Sequence, residues 1–152
     1  MSMTIRFARP DDYEQWLPLW VGYNRFYGRF DASALPDVIT QTTWRRFFEA
    51  SEPVHALVAE KEGKLVGLVH YLFHRSTTLL NDICYLQDLF TDENCRGEGV
   101  GRMLIEAVYE RARQAGSQRV YWQTHETNAQ AMVLYNRIAD RSGFLVYRKQ
   151  LS

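Results

Sequence analysis

The sequence predicts a mixed α/β fold whose elements run β-α-α-β-β-β-α-β-α-β. Three observations lead there. From Val100 to Ala115, apolar residues recur at helical spacing on one face. Val54 to Ala59 and Leu65 to Phe73 are strand-like and flank a short connection containing Gly63, the mark of an antiparallel hairpin. At 152 residues the chain is about one domain long, so 1–152 is expected to share one core.

Thr4 to Arg9 alternates in side-chain character and reads as a first strand, ended by Pro10. Asp11 is placed to cap a helix, with Glu14 three residues on as in a capping box. Tyr13, Trp16, Leu17, Trp20, Tyr23 and Tyr27 follow on one stripe. Pro18 falls inside it and predicts a kink or a break, because proline lacks the backbone donor. Residues 28–36 read as a loop, and Asp37 to Phe48 as a second helix. The hairpin comes next, turning at 61–64, and after a polar connection Ile83 to Thr91 is a further strand. The strong helix ends at Gly116, which suits the C′ position. Arg119 to Thr124 reads as a strand and Asn128 to Asp140 as a helix, with Ala131, Val133, Leu134 and Ile138 apolar. Phe144 to Lys149 is expected to form a last strand.

Composition narrows the function. Eighteen Lys and Arg balance eighteen Asp and Glu, which argues against nucleic acid as the main partner. No apolar run reaches the roughly 18 residues of a membrane span, and the opening lacks the core of a signal peptide. A cytoplasmic setting is therefore expected. Cys84 and Cys95 are too few for a disulfide framework and form no paired motif, so no metal centre is expected either. Aromatic residues are plentiful at 14%. Trp16, Trp20, Phe47, Phe48 and Trp122 are assigned to the core, whereas Tyr23, Phe26 and Tyr27 are candidates for a substrate wall or a subunit interface. Since interfaces favour aromatic residues, a homodimer is expected.

The chemistry concentrates in Arg96-Gly-Glu-Gly-Val-Gly101, between a strand and the strongest helix. Its glycines permit backbone angles closed to other residues. A helix N-terminus offers unpaired N–H groups and partial positive charge, so the segment suits phosphate or pyrophosphate. Arg96 and Arg102 flank it. The P-loop pattern fails because Arg102-Met103 follows the last glycine, and the dinucleotide fingerprint fails because Arg102 stands where a third glycine belongs.

Arg-x-x-Gly-x-Gly, present as Arg96, Gly99 and Gly101, resembles the signature of the GNAT superfamily of acyl-CoA-dependent N-acetyltransferases. A strand before the loop, then Asn128 and Tyr135 seven residues apart after a later strand, match the same family, as does the opening Arg9-Pro-Asp-Asp12. Tyr85-Leu-Gln-Asp-Leu-Phe90 and Asn128 to Tyr135 look most like the polyamine and diamine branch and its small fungal relatives. The resemblance implies a central mixed, mostly antiparallel sheet flanked by helices, with acetyl-CoA as donor. It implies a small-molecule amine as acceptor (polyamine, diamine or amino acid), with a protein Lys or N-terminus, or non-catalytic acyl-CoA sensing, as alternatives.

The resemblance also implies roles. Arg96, Gly97, Glu98, Gly99, Val100, Gly101 and Arg102 would hold the cofactor pyrophosphate. Leu89, Phe90 and Thr91 would pair with its pantetheine arm, and Asn128 and Ala131 would contact it near the last helix. Asn128 equally suits a helix N-cap. Tyr135 would protonate the departing thiolate, since a phenol near 10 and a thiol near 8.5 are close enough for transfer; a half-buried core tyrosine is the plainer alternative. Gln87 stands where the related branch has a carboxylate, and it cannot take a proton. Asp88 is the candidate base, although an ideal strand points it to the opposite face; a bulge would re-aim it. A water chain, His125 or Glu126 are the alternatives. Tyr23, Tyr27 and Gln87 would line the acceptor side, where aromatic rings suit a cationic amine.

Overall fold

The structure, a computed structural model, describes residues 2–152. The chain forms two compact units, Met1–Trp122 and Gln123–Ser152. The first contains a five-stranded sheet in sequence order: β1 (Met3–Phe7), β2 (Val54–Lys61), β3 (Lys64–His74), β4 (Ile83–Thr91) and β5 (Val120–Tyr121). Neighbours from β1 to β4 are antiparallel, and β4 and β5 are parallel. The β2–β3 hairpin turns through Glu62 (φ 54°) and Gly63 (φ 77°), the two left-handed residues of a tight primed turn.

Helices α1 (Tyr13–Phe26) and α2 (Asp37–Arg46) lie between β1 and β2 in the chain. Trp16, Leu19, Trp20 and Tyr23 of α1 are buried with Ala8, Ala56, Val58, Leu65 and Leu68, and Trp44 and Phe47 pack against them. Helix α3 (Val100–Gln114) serves the opposite face. Its Val100 and Leu104 meet Gly67, the neighbour of Leu68 on β3, and successive strand residues face opposite ways. Gly116 (φ 83°) closes α3: its amide bonds to Arg113 and that of Ser117 to Ala112, satisfying two end carbonyls. Among the described residues no helix is long and apolar enough to cross a membrane.

Four expectations are corrected. Of the kink or break expected at Pro18, the break does not occur: α1 is one helix through it. The proline leaves only the Glu14 carbonyl in the first turn without its usual partner, and the buried stripe that follows outweighs that one bond. The N-terminal acid is Asp12, not Asp11: a 3₁₀ turn (Pro10–Asp12) precedes α1, and Asp12 accepts the Arg9 amide at 2.7 Å. Phe48 lies just past α2 and is 37% exposed, not core. Residues 144–149 form no strand and belong to no ladder among the described residues; Phe144 and Tyr147 are 89% and 92% exposed. A short apolar run rich in aromatic and β-branched residues becomes a strand only where an edge pairs with it.

The second unit contains α4 (Ala129–Ile138), entered through Asn128 and left at Ala139.

Candidate active site

The β3–β4 ladder holds the central irregularity. Val69 pairs with Leu89 and His70 with Asp88, but Tyr71 pairs with Leu86, so Gln87 is an extra residue in β4. The bulge reverses the alternation. Phe90 and Asp88 face α1 together with their partners Leu68 and His70, and after the bulge Tyr85 does so, opposite Leu72. Without it Asp88 would share the α3 face with Leu86. Gln87 itself is exposed and Asp88 is buried, 8% exposed.

Asp88 Oδ2 lies 2.8 Å from His70 Nδ1. The other ring nitrogen, Nε2, takes the indole N–H of Trp16 at 3.1 Å. Indole nitrogen only donates, so Nε2 is the acceptor and the proton sits on Nδ1, donated to the carboxylate. His70 is thus held neutral in one tautomer, packed against Trp16, Trp20 and Phe47. The Asp88 carboxylate lies on the α1 face of the sheet.

That carboxylate acts on three tyrosines: Tyr23 of α1, Tyr27 just past it and Tyr85 of β4. Burial, then the charge of Asp88 and hydrogen bonding to it, push the Tyr23 phenol well above its usual range. Tyr27 is pushed the same way by burial and Asp88, with Arg29 opposing. Tyr85 is raised by burial, with Asp88 and Tyr27 among the lesser causes. All three therefore stay protonated and present neutral rings near a carboxylate. Tyr23 is buried and Tyr27 is 43% exposed, so Tyr27 is the outer member of the wall. The rings of Tyr23 and Tyr27 are 5.0 Å apart.

The cofactor-side residues lie at the end of β4 and in the loop after it. The β4–β5 ladder stops at Tyr85↔Tyr121, so Leu89, Phe90 and Thr91 have no strand paired on that side among the described residues. Gly22 lets α1 close on Phe90: a Cβ there would lie 2.7 Å from the ring. The Arg96 guanidinium stacks 5.5 Å above the same ring, and its Nε donates to the Thr91 carbonyl at 3.4 Å. Gly97 and Gly99 both have φ of 84°, and the space beside each is open. Gly99 is the N-cap of α3, with no side-chain cap, so the first-turn amides of Val100, Gly101 and Arg102 remain as donors. Lys61 neutralises Glu98 at 2.6 Å, and Arg102 pairs with Glu106 at 2.8 Å. Uncapped amides, open glycines and balanced acids fit a bound pyrophosphate.

In the second unit Asn128 occupies the N-cap position of α4 but makes no side-chain cap bond; its Nδ2 donates to Thr124 Oγ1 at 3.0 Å. Tyr135 lies two turns on and Ala131 between them, so the residues share one side of the helix. His125 Nδ1 accepts the Thr127 amide at 3.2 Å and stabilises the turn before α4.

Four contributors were not singled out from the sequence: Trp16 as a donor, His70, Gly22 and Gly67. The only signal for the pair of glycines was glycine itself inside an element, where it often marks close approach. His70 on an apolar strand carried no signal beyond its type. Burial also pushes the Cys84 thiol up to about 12, which keeps it from acting as a thiolate.

Residues 13–139 match the acetyltransferase (GNAT) family. The D-amino-acid N-acetyltransferase HPA3 of Saccharomyces cerevisiae is 32% identical over 149 residues, 97% of this chain and 90% of that protein. The uncharacterized N-acetyltransferase YhfO of Bacillus subtilis is 31% identical over 147 residues, 95% of each chain. The fold is shared with AAC(6')-Iy, solved with a CoA-containing bisubstrate analogue (TM-score 0.83, 15% identity, 100% of both chains). The chain therefore belongs to the GNAT acetyltransferase family and is an N-acetyltransferase whose acetyl donor is acetyl-CoA.

Proposed function

We propose that the acceptor is the primary amine of a small molecule and that Asp88 receives its proton. The observation that carries this is the His70–Asp88 hydrogen bond at the bulge, which sets a buried carboxylate on the α1 face of the sheet. An alkyl amine is almost all ammonium near neutral pH and must lose a proton before it can attack. Gln87 cannot take it. Asp88 can, and Tyr23 and Tyr27 provide the rings beside which an ammonium is favoured. The relative from Saccharomyces cerevisiae, named for D-amino acids, supports a small acceptor.

Transfer is direct in this reading. The amine nitrogen bonds to the thioester carbon as the carbon–sulfur bond breaks. Asp88 takes one proton from the ammonium before the attack, Tyr135 gives its proton to the departing thiolate, and the second proton shed by the nitrogen restores the Tyr135 phenol. The loop from Arg96 to Arg102 holds the pyrophosphate, and Leu89, Phe90 and Thr91 offer main-chain partners to the pantetheine arm. Asn128 and Ala131 contact the donor and Gln87 the acceptor. Residues 1–152 act as one catalytic domain in a cytoplasmic homodimer, whose apolar contact draws on exposed Phe26 and Val38.

A thiol-release screen with acetyl-CoA over amino acids, polyamines, aminoglycosides and histone peptides tests the reading. Release with small amines supports it. Release with peptides alone moves the acceptor to protein, and acetyl-CoA binding without release on any amine overturns it in favour of a sensor. Light scattering checks the dimer.

A further inference from the structure

We propose that Arg29 recognises a carboxylate on the acceptor, so that the preferred acceptor is an α-amino acid bound as a zwitterion. The proposal rests on the reading of Asp88 as the group that receives the amine.

Arg29 follows α1 and is half-buried. Two bonds from one residue fix it: its amide donates to the Asn24 carbonyl at 2.9 Å, and its Nε to Asn24 Oδ1 at 2.6 Å. Asn24 is itself buried, 4% exposed, and its Nδ2 donates to the Trp20 carbonyl at 2.9 Å. That second bond sets which way the amide faces and turns its oxygen to Arg29. The guanidinium then lies over the two tyrosines, 5.9 Å from the Tyr23 ring centre and 5.4 Å from that of Tyr27. Helix, asparagine and rings thus hold the side chain in one place before any ligand arrives.

What Arg29 lacks is an acid. Arg6, Arg45 and Arg102 each meet a carboxylate. Among the described residues Arg29 meets none, and its terminal nitrogens, the pair that makes the bidentate fork, have no acceptor. A half-buried arginine stiffened in this way fits an anionic group that comes from elsewhere.

The position says which anion. Asp88 and Arg29 act on the same two phenols with opposite sign. The Arg29 guanidinium stands over the Tyr23 and Tyr27 rings, and the Asp88 carboxylate, on the α1 face of the sheet, acts on the same pair. An α-amino acid carries the complementary charges one carbon apart: its ammonium turned to Asp88, its carboxylate to the Arg29 fork, its side chain along the Tyr27 edge. A diamine or polyamine would instead bring a second cation toward Arg29 and gain nothing from the fork.

The test compares kcat/KM for an α-amino acid, in both enantiomers, with its carboxamide and with a linear diamine. The expected preference for the better enantiomer over its carboxamide is about tenfold or more, the scale of a charge-assisted hydrogen bond. Arg29→Gln is expected to bring this ratio close to one, and Arg29→Lys to keep part of it. The ratio compares two acceptors on the same enzyme, so loss of folded material cancels; if Arg29→Gln does not fold, the wild-type ratio and Arg29→Lys decide. A wild-type ratio near one, or an undiminished ratio in Arg29→Gln, overturns the proposal and leaves the amine-acetylation reading standing. No thiol release with any acceptor overturns both.

Discussion

His70 and Asp88 are cross-strand partners that also hydrogen-bond through their side chains, Nδ1 to Oδ2 at 2.8 Å, beside the only residue of β4 that the β3–β4 ladder skips. Backbone pairing and side-chain bonding thus act on the same carboxylate. The bulge turns Asp88 toward α1, and Trp16 fixes which nitrogen of His70 carries the proton.

Asp88→Asn keeps the size of the side chain and an oxygen for His70 Nδ1–H, but it removes the base. The expected loss in kcat/KM is about 10²–10⁴-fold, the usual contribution of general base catalysis. The deficit narrows as pH rises toward the pKa of the acceptor amine, because solvent then supplies the neutral nucleophile. A pH–rate profile of both enzymes with one acceptor checks this; a deficit that stays constant across that range would show that Asp88 does not take the proton.

The loop and the hairpin were legible in the sequence because each depends on local chemistry. Gly97, Gly99 and Gly63 occupy left-handed positions that other residues resist, and they announce this by being glycine. Asp88 was legible as a residue but not in its direction. Its facing depends on where β4 gains a residue against β3, and a pairing register is not written in either strand alone. The same holds for residues 144–149, whose apolar run, Phe144 to Tyr147, has strand character with no partner to use it among the described residues. At Pro18 the break did not follow: burial of Trp16, Leu19 and Trp20 around it keeps α1 continuous.

Tyr135→Phe removes a hydroxyl and almost nothing else. If Tyr135 protonates the departing thiolate, kcat falls by roughly 10²-fold or more while KM for acetyl-CoA changes little. Steady-state kinetics with acetyl-CoA varied checks it. A kcat near wild type assigns the proton to another donor.

Asp12 ties β1 to the start of α1. Arg6 reaches it through two nitrogens, at 2.8 and 3.0 Å, and the Arg9 amide through a third bond. The hydrogen bond from Arg6, foremost, holds the Asp12 carboxyl below its ordinary value of 3.8. A carboxyl lowered by folding stabilises the folded state above that ordinary value and loses this contribution as pH falls through the lowered one. Asp12→Asn is therefore expected to cost about 1–2 kcal/mol near neutral pH. The gap from wild type closes as pH drops below about 4. Urea unfolding at several pH values measures it.

Gly67→Ala tests how the sheet sets the position of the cofactor loop. A Cβ on Gly67 would lie 2.9 Å from Val100 Cγ1, 3.0 Å from Leu104 Cδ1 and 3.2 Å from the Phe90 carbonyl oxygen. Val100 and Leu104 are buried at 1% and 0% exposure, so neither has room to rotate away. The strain must then move the first turn of α3, at a cost of about 1–3 kcal/mol for an overpacked core. That turn carries the amides of Val100, Gly101 and Arg102, so the shift reaches the groups proposed to hold the pyrophosphate. The expected result is a lower Tm together with a higher KM for acetyl-CoA and an unchanged preference among acceptors. By contrast, Gly63→Ala strains the turn of the β2–β3 hairpin, where φ is 77° and nothing lies within 4 Å of the added carbon. It should lower Tm without raising that KM. Equal effects of the two substitutions on KM would mean that the loop does not take its position from the contact of α3 with β3.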